Sequence, residues 1–168
     1  MLILGIDPGT AIMGYGLIEA GNGGTLQAFA YGCIRTPAEL KTSRRLVMIY
    51  DRLREIIKEH HPDIMAVEEL FFNKNSRTAM AVGQARGVAI LAAAHGAVPV
   101  AEYTPLEVKQ AVTGYGRAPK EQVQRMVQTL LGLKNRPEPD DVADALAVAI
   151  CHASMASWPR RKTGVWRQ

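Results

Sequence analysis

The chain reads as an α/β domain with a mixed five-stranded sheet and helices on its faces. Three observations predict this. The first 35 residues hold three strand-like segments joined by short turns, the pattern of an antiparallel meander. Two later apolar runs then alternate with segments of helical periodicity, which is how parallel strands are connected. Finally, 168 residues, 48% of them hydrophobic, suffice for the core of one domain and exclude a disordered chain.

The elements follow in order. Residues 2–7 form a strand that ends in Asp7-Pro8-Gly9, a turn sequence. Residues 14–19 form the second strand, Gly21-Asn22-Gly23-Gly24 the hairpin turn, and 25–35 the third strand, with Phe29, Tyr31 and Ile34. Thr36-Pro37 has the form of a helix cap followed by proline at the first helical position. Leu46, Ile49, Tyr50, Leu53, Ile56 and Ile57 then recur at helical spacing, giving an amphipathic helix over about 38–60 that Pro62 ends. Residues 63–68 are the fourth strand and 71–75 a loop. Residues 76–95 form a helix rich in small residues, whose apolar second half suits a core or a partner interface. Residues 98–102 are the fifth strand, and helices are expected over 105–113, 120–131 and 140–156. Strands one and four can lie side by side, bringing Asp7 near Glu68. Residues 1–157 form a single domain, and 158–168 a basic, flexible tail.

Composition narrows the function. Cys33 and Cys151 have no C-x-x-C spacing, which argues against a disulfide framework or structural zinc and fits a reducing cytoplasm. His60, His61, His95 and His152 show no metal-ligand spacing and read as helix-end or surface residues. Met48, Met65, Met80 and Met126 read as packing residues. No signal peptide is recognisable, and the apolar run 88–94 is too short to span a bilayer, so no membrane partner is expected. The net charge of +4 is matched by the tail alone, through Arg160, Arg161, Lys162 and Arg167. Residues 74–136 carry nine basic side chains against Glu102, Glu107 and Glu121, while most acids lie elsewhere. A cationic surface beside an acidic site is what a polyanion bound at a metal centre needs.

The acids supply the chemistry. Asp7 ends the first strand, where turn chemistry alone would also explain it. Glu68 and Glu69 follow the apolar run Ile64-Met65-Ala66-Val67; alternation sends them to opposite faces, and parity does not choose between them. A carboxylate at the end of a buried strand is costly unless paired or metal-bound. Asp140, Asp141 and Asp144 open the last helix. Capping explains the first two, but Asp144 enters the apolar stretch Ala145-Leu146-Ala147-Val148-Ala149-Ile150, and it shares a face with Asp141. A site made of carboxylates points to divalent metal ions and phosphate chemistry.

At this point the residues resemble a known family. Gly5-Ile6-Asp7-Pro8-Gly9 with Gly14-Tyr15-Gly16, Gly32-Cys33-Ile34-Arg35-Thr36, Ala66-Val67-Glu68 before Phe71, and Gly83-Gln84-Ala85-Arg86-Gly87-Val88-Ala89-Ile90 are similar to segments of the RuvC family of Holliday-junction resolvases. So are Val108-Lys109-Gln110 and Ala143-Asp144-Ala145-Leu146-Ala147, in the same order and spacing. The resemblance implies an RNase H-like fold, a homodimer, and Mg²⁺-dependent nicking of two strands of like polarity at a four-way DNA junction. Two Mg²⁺ per subunit are implied, with Mn²⁺ able to substitute, and a link to the RuvA–RuvB branch-migration complex. It assigns the metal-binding and catalytic acids to Asp7, Glu68, Asp141 and Asp144, selecting Glu68 over Glu69. It assigns DNA binding to Lys109 and Lys120, and to Phe71 as an aromatic that stacks on an unpaired base. Phe72, Lys74 and Arg77 make that loop a wider DNA-contacting element. An RNase H-like nuclease acting on RNA or RNA–DNA hybrids is the main rival. Actin-like and sugar-kinase ATPases also begin with a G-I-D-x-G strand, but they need a second large domain. A non-catalytic junction binder would leave the acids without a purpose.

Overall fold

The computed structural model describes residues 1–69 and 76–157, with side chains in the second stretch from 79 to 156. Phe71, Phe72 and Lys74 lie outside the described residues, as does the tail 158–168. The elements run β1 (Leu2–Asp7), β2 (Ile12–Ala20), β3 (Leu26–Arg35), α1 (Thr42–His60), β4 (Ile64–Glu68), α2 (Ser76–His95), β5 (Val100–Tyr103), α3 (Pro105–Thr113), α4 (Lys120–Leu130) and α5 (Asp140–Ser157).

The sheet order is β3-β2-β1-β4-β5. β1 to β3 pair antiparallel, and β4 and β5 continue parallel to β1. The mixed sheet expected from the element order is therefore present, with β1 at its centre. Alternation along β1 divides the core. Leu4 and Ile6 pack with α1 and α2, whereas Ile3 packs with α3, α4 and α5. Asp7 shares the parity of Ile3, so its side chain faces the layer formed by α3 to α5.

α5 approaches the sheet closely because glycine leaves room for it. A Cβ on Gly5 would lie 2.0 Å from the Ala145 carbonyl oxygen, and one on Gly14 1.9 Å from that of Asp141. Both obstacles are helix backbone, which no rotamer change can move aside. Gly5→Ala is therefore expected to lower stability by about 3 kcal/mol, the upper range of over-packing, measurable as a shifted urea midpoint. An unchanged midpoint would mean that α5 can retreat freely.

Two local expectations are corrected. Thr36-Pro37 does not start α1, which begins at Thr42 after Lys41. The Thr36 hydroxyl instead donates to the Thr10 carbonyl at 2.6 Å and accepts from Arg45 Nε at 2.7 Å. A capping residue was thus recruited to a tertiary bond that pins the turn after Asp7. His152 is not a surface residue: it is buried, and its Nδ1 lies 2.6 Å from the Tyr103 hydroxyl. Met65 packs in the core and Met126 against it, as expected, but Met48 and Met80 are exposed. The N-terminus of α3 closes with a capping box, Thr104 and Glu107 each bonding the other's backbone N–H.

Candidate active site

The C-terminal ends of β1 and β4 lie side by side, with Ile6 opposite Val67, so Asp7 and Glu68 emerge together. Glu68 shares the parity of Ala66, which packs in the α3–α5 layer, and its side chain accordingly enters the same face as Asp7. Glu69 is exposed, and its N–H donates to the Tyr103 carbonyl at 2.8 Å. The ambiguity left by parity is resolved by which residue of β4 packs on which layer.

α5 completes the arrangement from above. A cleft of about 280 Å³ is lined by Asp7, Glu68, Lys109, Lys120 and Asp144, with Val108, Val123 and Ala147 among its apolar walls. Asp141 does not line the cleft. It lies over Gly14, the register partner of Asp7, near enough for its charge to act on Asp7. Asp140 is exposed, and hydrogen bonds from Gln124 and Lys120 hold its carboxyl below the usual range.

The electrostatics are those of crowded acids. Burial first, then the charges of Asp144, Asp141 and Glu68, push the Asp7 carboxyl up to about 7, although Lys120 opposes the rise. Burial and the Asp144 charge also raise Glu68, with Lys109 pulling it back. Burial raises Asp144 against its bond to Lys120. Lys120 Nζ lies 2.9 Å from Asp144 and 3.3 Å from Asp140. Burial pulls the Lys120 ammonium down, but those two carboxylates outweigh it and raise it overall.

Among the described residues, no three His, Cys, Asp or Glu side chains already converge as a closed set of metal donors. Asp7, Glu68 and Asp144 nevertheless share one cleft, all offer oxygen, and neighbouring acids disfavour the ionisation of each. That is the condition a hard divalent cation relieves.

The two lysines expected to bind DNA both reach the cleft, Lys109 from α3 and Lys120 from α4. Arg77 falls in the first turn of α2, and its side chain lies outside the described part. Among the described residues, no helix is long and apolar enough to cross a membrane. Sequence reasoning missed two pairs of contributors. Gly5 and Gly14, quoted only as motif letters, set the depth of α5. Arg86, quoted as a motif letter and counted as a charge, and Glu102, counted only as a charge, meet at the end of β4.

The sequence profile described as crossover junction endodeoxyribonuclease RuvC matches residues 3–152. The chain belongs to the RuvC family. RuvC of Moorella thermoacetica is 70% identical over 165 residues, covering 98% of both chains. RuvC of Desulforamulus reducens is 63% identical, covering 94% of this chain and 96% of its own. Among solved structures, Thermus thermophilus RuvC in complex with a Holliday junction substrate superposes with a TM-score of 0.88 at 38% identity, over 93% of this chain and 94% of that one. The yeast mitochondrial Holliday junction resolvase, at 10% identity and a TM-score of 0.64, shares the fold alone. The fold is RNase H-like, and RuvC nucleases are metal-dependent.

Proposed function

We propose that this RuvC chain resolves Holliday junctions, nicking two strands of like polarity as a homodimer with one site per protomer. The observation that carries the reading is the convergence of Asp7, Glu68 and Asp144 in one cleft, with Asp141 beside it. Asp7, Glu68, Asp141 and Asp144 would hold the metal, two Mg²⁺ per subunit, with Mn²⁺ able to substitute. The chemistry such ions would supply there is activation of a water and stabilisation of charge on the leaving oxygen.

The chain's own groups do the rest. Asp7, raised by burial and by the charges of Asp144, Asp141 and Glu68, would ionise once a cation offset those charges. Lys120 releases Asp144 and Asp140 and turns to a phosphate oxygen of the DNA. Lys109 balances Glu68 from the other wall and faces the incoming strand. Phe71, with Phe72, Lys74 and Arg77, contacts the junction near the crossover. The basic residues from 74 to 136 and the tail after 157 extend the surface for a polyanion. The RuvA–RuvB branch-migration complex is the expected partner, and the cytoplasm the expected compartment.

The test is a synthetic four-way junction, a linear duplex and an RNA–DNA hybrid, each with Mg²⁺ and with EDTA. Paired nicks confined to the junction and dependent on Mg²⁺ are expected. Equal cutting of the linear duplex, or full activity in EDTA, would overturn the reading, and preference for the hybrid would favour an RNA-directed nuclease.

A further inference from the structure

We propose that Arg86 is a positioning residue that fixes Glu68 for metal binding by clamping its main chain from the opposite layer of the fold. This rests on the reading of Glu68 as a metal-bearing acid.

Glu68 ends β4, so its carbonyl has reached the limit of the strand ladder. Arg86, on α2, donates to that carbonyl from Nε at 3.2 Å. Its Nη2 pairs with the Glu102 carboxylate on β5. Glu102 shares the parity of Val100, which packs with α1 and α2, so it points away from the cleft and toward α2. One guanidinium therefore ties the last residue of β4 to β5 while the Glu68 side chain projects into the cleft on the other face. Only 16% of the Arg86 side chain is accessible, so the guanidinium is held on the protein, while Glu102, at 47%, meets it from an exposed position.

The effect is geometric rather than electrostatic. The influences on the Glu68 carboxyl are burial, Asp144 and Lys109, and Arg86 is not among them. Glu102 neutralises the guanidinium locally. What Arg86 contributes is the orientation of the peptide plane after Glu68, and hence the direction in which the carboxylate leaves the strand. A guanidinium can satisfy a carbonyl and a carboxylate at once from a rigid fork, whereas an ammonium is a single point on a flexible stem. The residue-type requirement is thus specific to arginine.

The test compares Arg86→Lys, Arg86→Ala and Glu102→Gln with the parent chain. Mn²⁺ affinity is read from the free-ion EPR signal, nicking as a single-turnover rate across a Mg²⁺ series, and junction binding in EDTA. Arg86→Lys is expected to weaken Mn²⁺ binding about tenfold, the usual effect of losing a group that orients a ligand. Nicking should fall roughly 10- to 100-fold at low Mg²⁺ and recover at high Mg²⁺, with junction binding in EDTA unchanged. Arg86→Ala should lose more. Glu102→Gln, at an exposed position where folding is not at risk, should shift Mn²⁺ affinity in the same direction by less. Parental Mn²⁺ affinity in both the lysine and the glutamine variants overturns the proposal, whatever their melting temperatures. If the parent takes up Mn²⁺ yet nicks no junction, the assigned reaction fails while the Mn²⁺ comparison still decides the role of Arg86. A parent that takes up no Mn²⁺ overturns both.

Discussion

Glu68→Gln is expected to abolish junction nicking while leaving junction binding intact, and Glu69→Gln is expected to retain most of the nicking. The two residues are adjacent and chemically identical, so the contrast isolates position. Glu68 faces the cleft with Asp7 and Asp144, and Glu69 is exposed with its backbone bonded to Tyr103. Loss of a carboxylate proposed to hold the metal should remove several kcal/mol of charge stabilisation from the transition state, on the order of 10³-fold in rate. The amide keeps the shape of the side chain, and it removes a negative charge from a surface that must receive phosphate. Junction affinity measured in EDTA should therefore hold or rise slightly. Glu69→Gln should stay within about threefold of the parent, since an exposed charge contributes little. Single-turnover cleavage and gel-shift titration of the same junction check both variants, and the reverse pattern would move the essential acid to Glu69.

How far this site was legible in the sequence depends on which residue is asked about. The strand ends at Asp7 and Glu68 could be read because turn residues punctuate apolar runs there, and the order of elements made β1 and β4 neighbours. The face that Glu68 takes could not be read, because parity along β4 is fixed by which layer Ala66 packs against, a tertiary fact. Asp144 stood out as a charge entering a buried helix. That Asp141 stands beside the cleft rather than lining it did not, since two acids three apart on a helix share a face without lining the same wall. Thr36 misled because a threonine before a proline looks like a cap, whereas the fold uses its hydroxyl to hold the turn after Asp7. His152 misled for a similar reason. A histidine late in a helix looks peripheral until β5 brings Tyr103 against it. Local signals thus placed the elements, while the misreadings arose where a polar side chain is spent on a distant partner.

The same crowding that suits Asp7 to metal should make it a liability to the metal-free fold, and Asp7→Asn is expected to stabilise the protein in EDTA at pH 8. The sign follows from which form of the carboxyl the fold prefers. The ordinary carboxyl value is 3.8, and burial with neighbouring acids raises Asp7 to about 7. The folded chain therefore holds a proton that the unfolded chain has lost between those values. Stability contributed by the protonated form is lost as pH rises from about 4 to about 7, and above that the penalty is constant. Every tenfold difference in proton affinity between the folded and unfolded chains is worth about 1.4 kcal/mol, which sets a ceiling of about 4 kcal/mol. Solvent access to the cleft, and proton sharing with Glu68 and Asp144, bring the expected gain nearer to about 2 kcal/mol. For a chain of this size that is a rise of roughly 5 °C in melting temperature at pH 8. The advantage should vanish near pH 4, where both forms of the site are neutral. Saturating Mg²⁺ should then raise the parent's melting temperature and narrow or reverse the gap, because an ion bound only by the folded state stabilises it by mass action. Thermal melts of both proteins across this pH range, with EDTA and with Mg²⁺, decide the matter. An Asp7→Asn protein less stable than the parent at pH 8 in EDTA would show that Asp7 is a structural turn residue first. A more stable protein that cannot cut would show a carboxylate retained, against the interest of the fold, for the cation it binds.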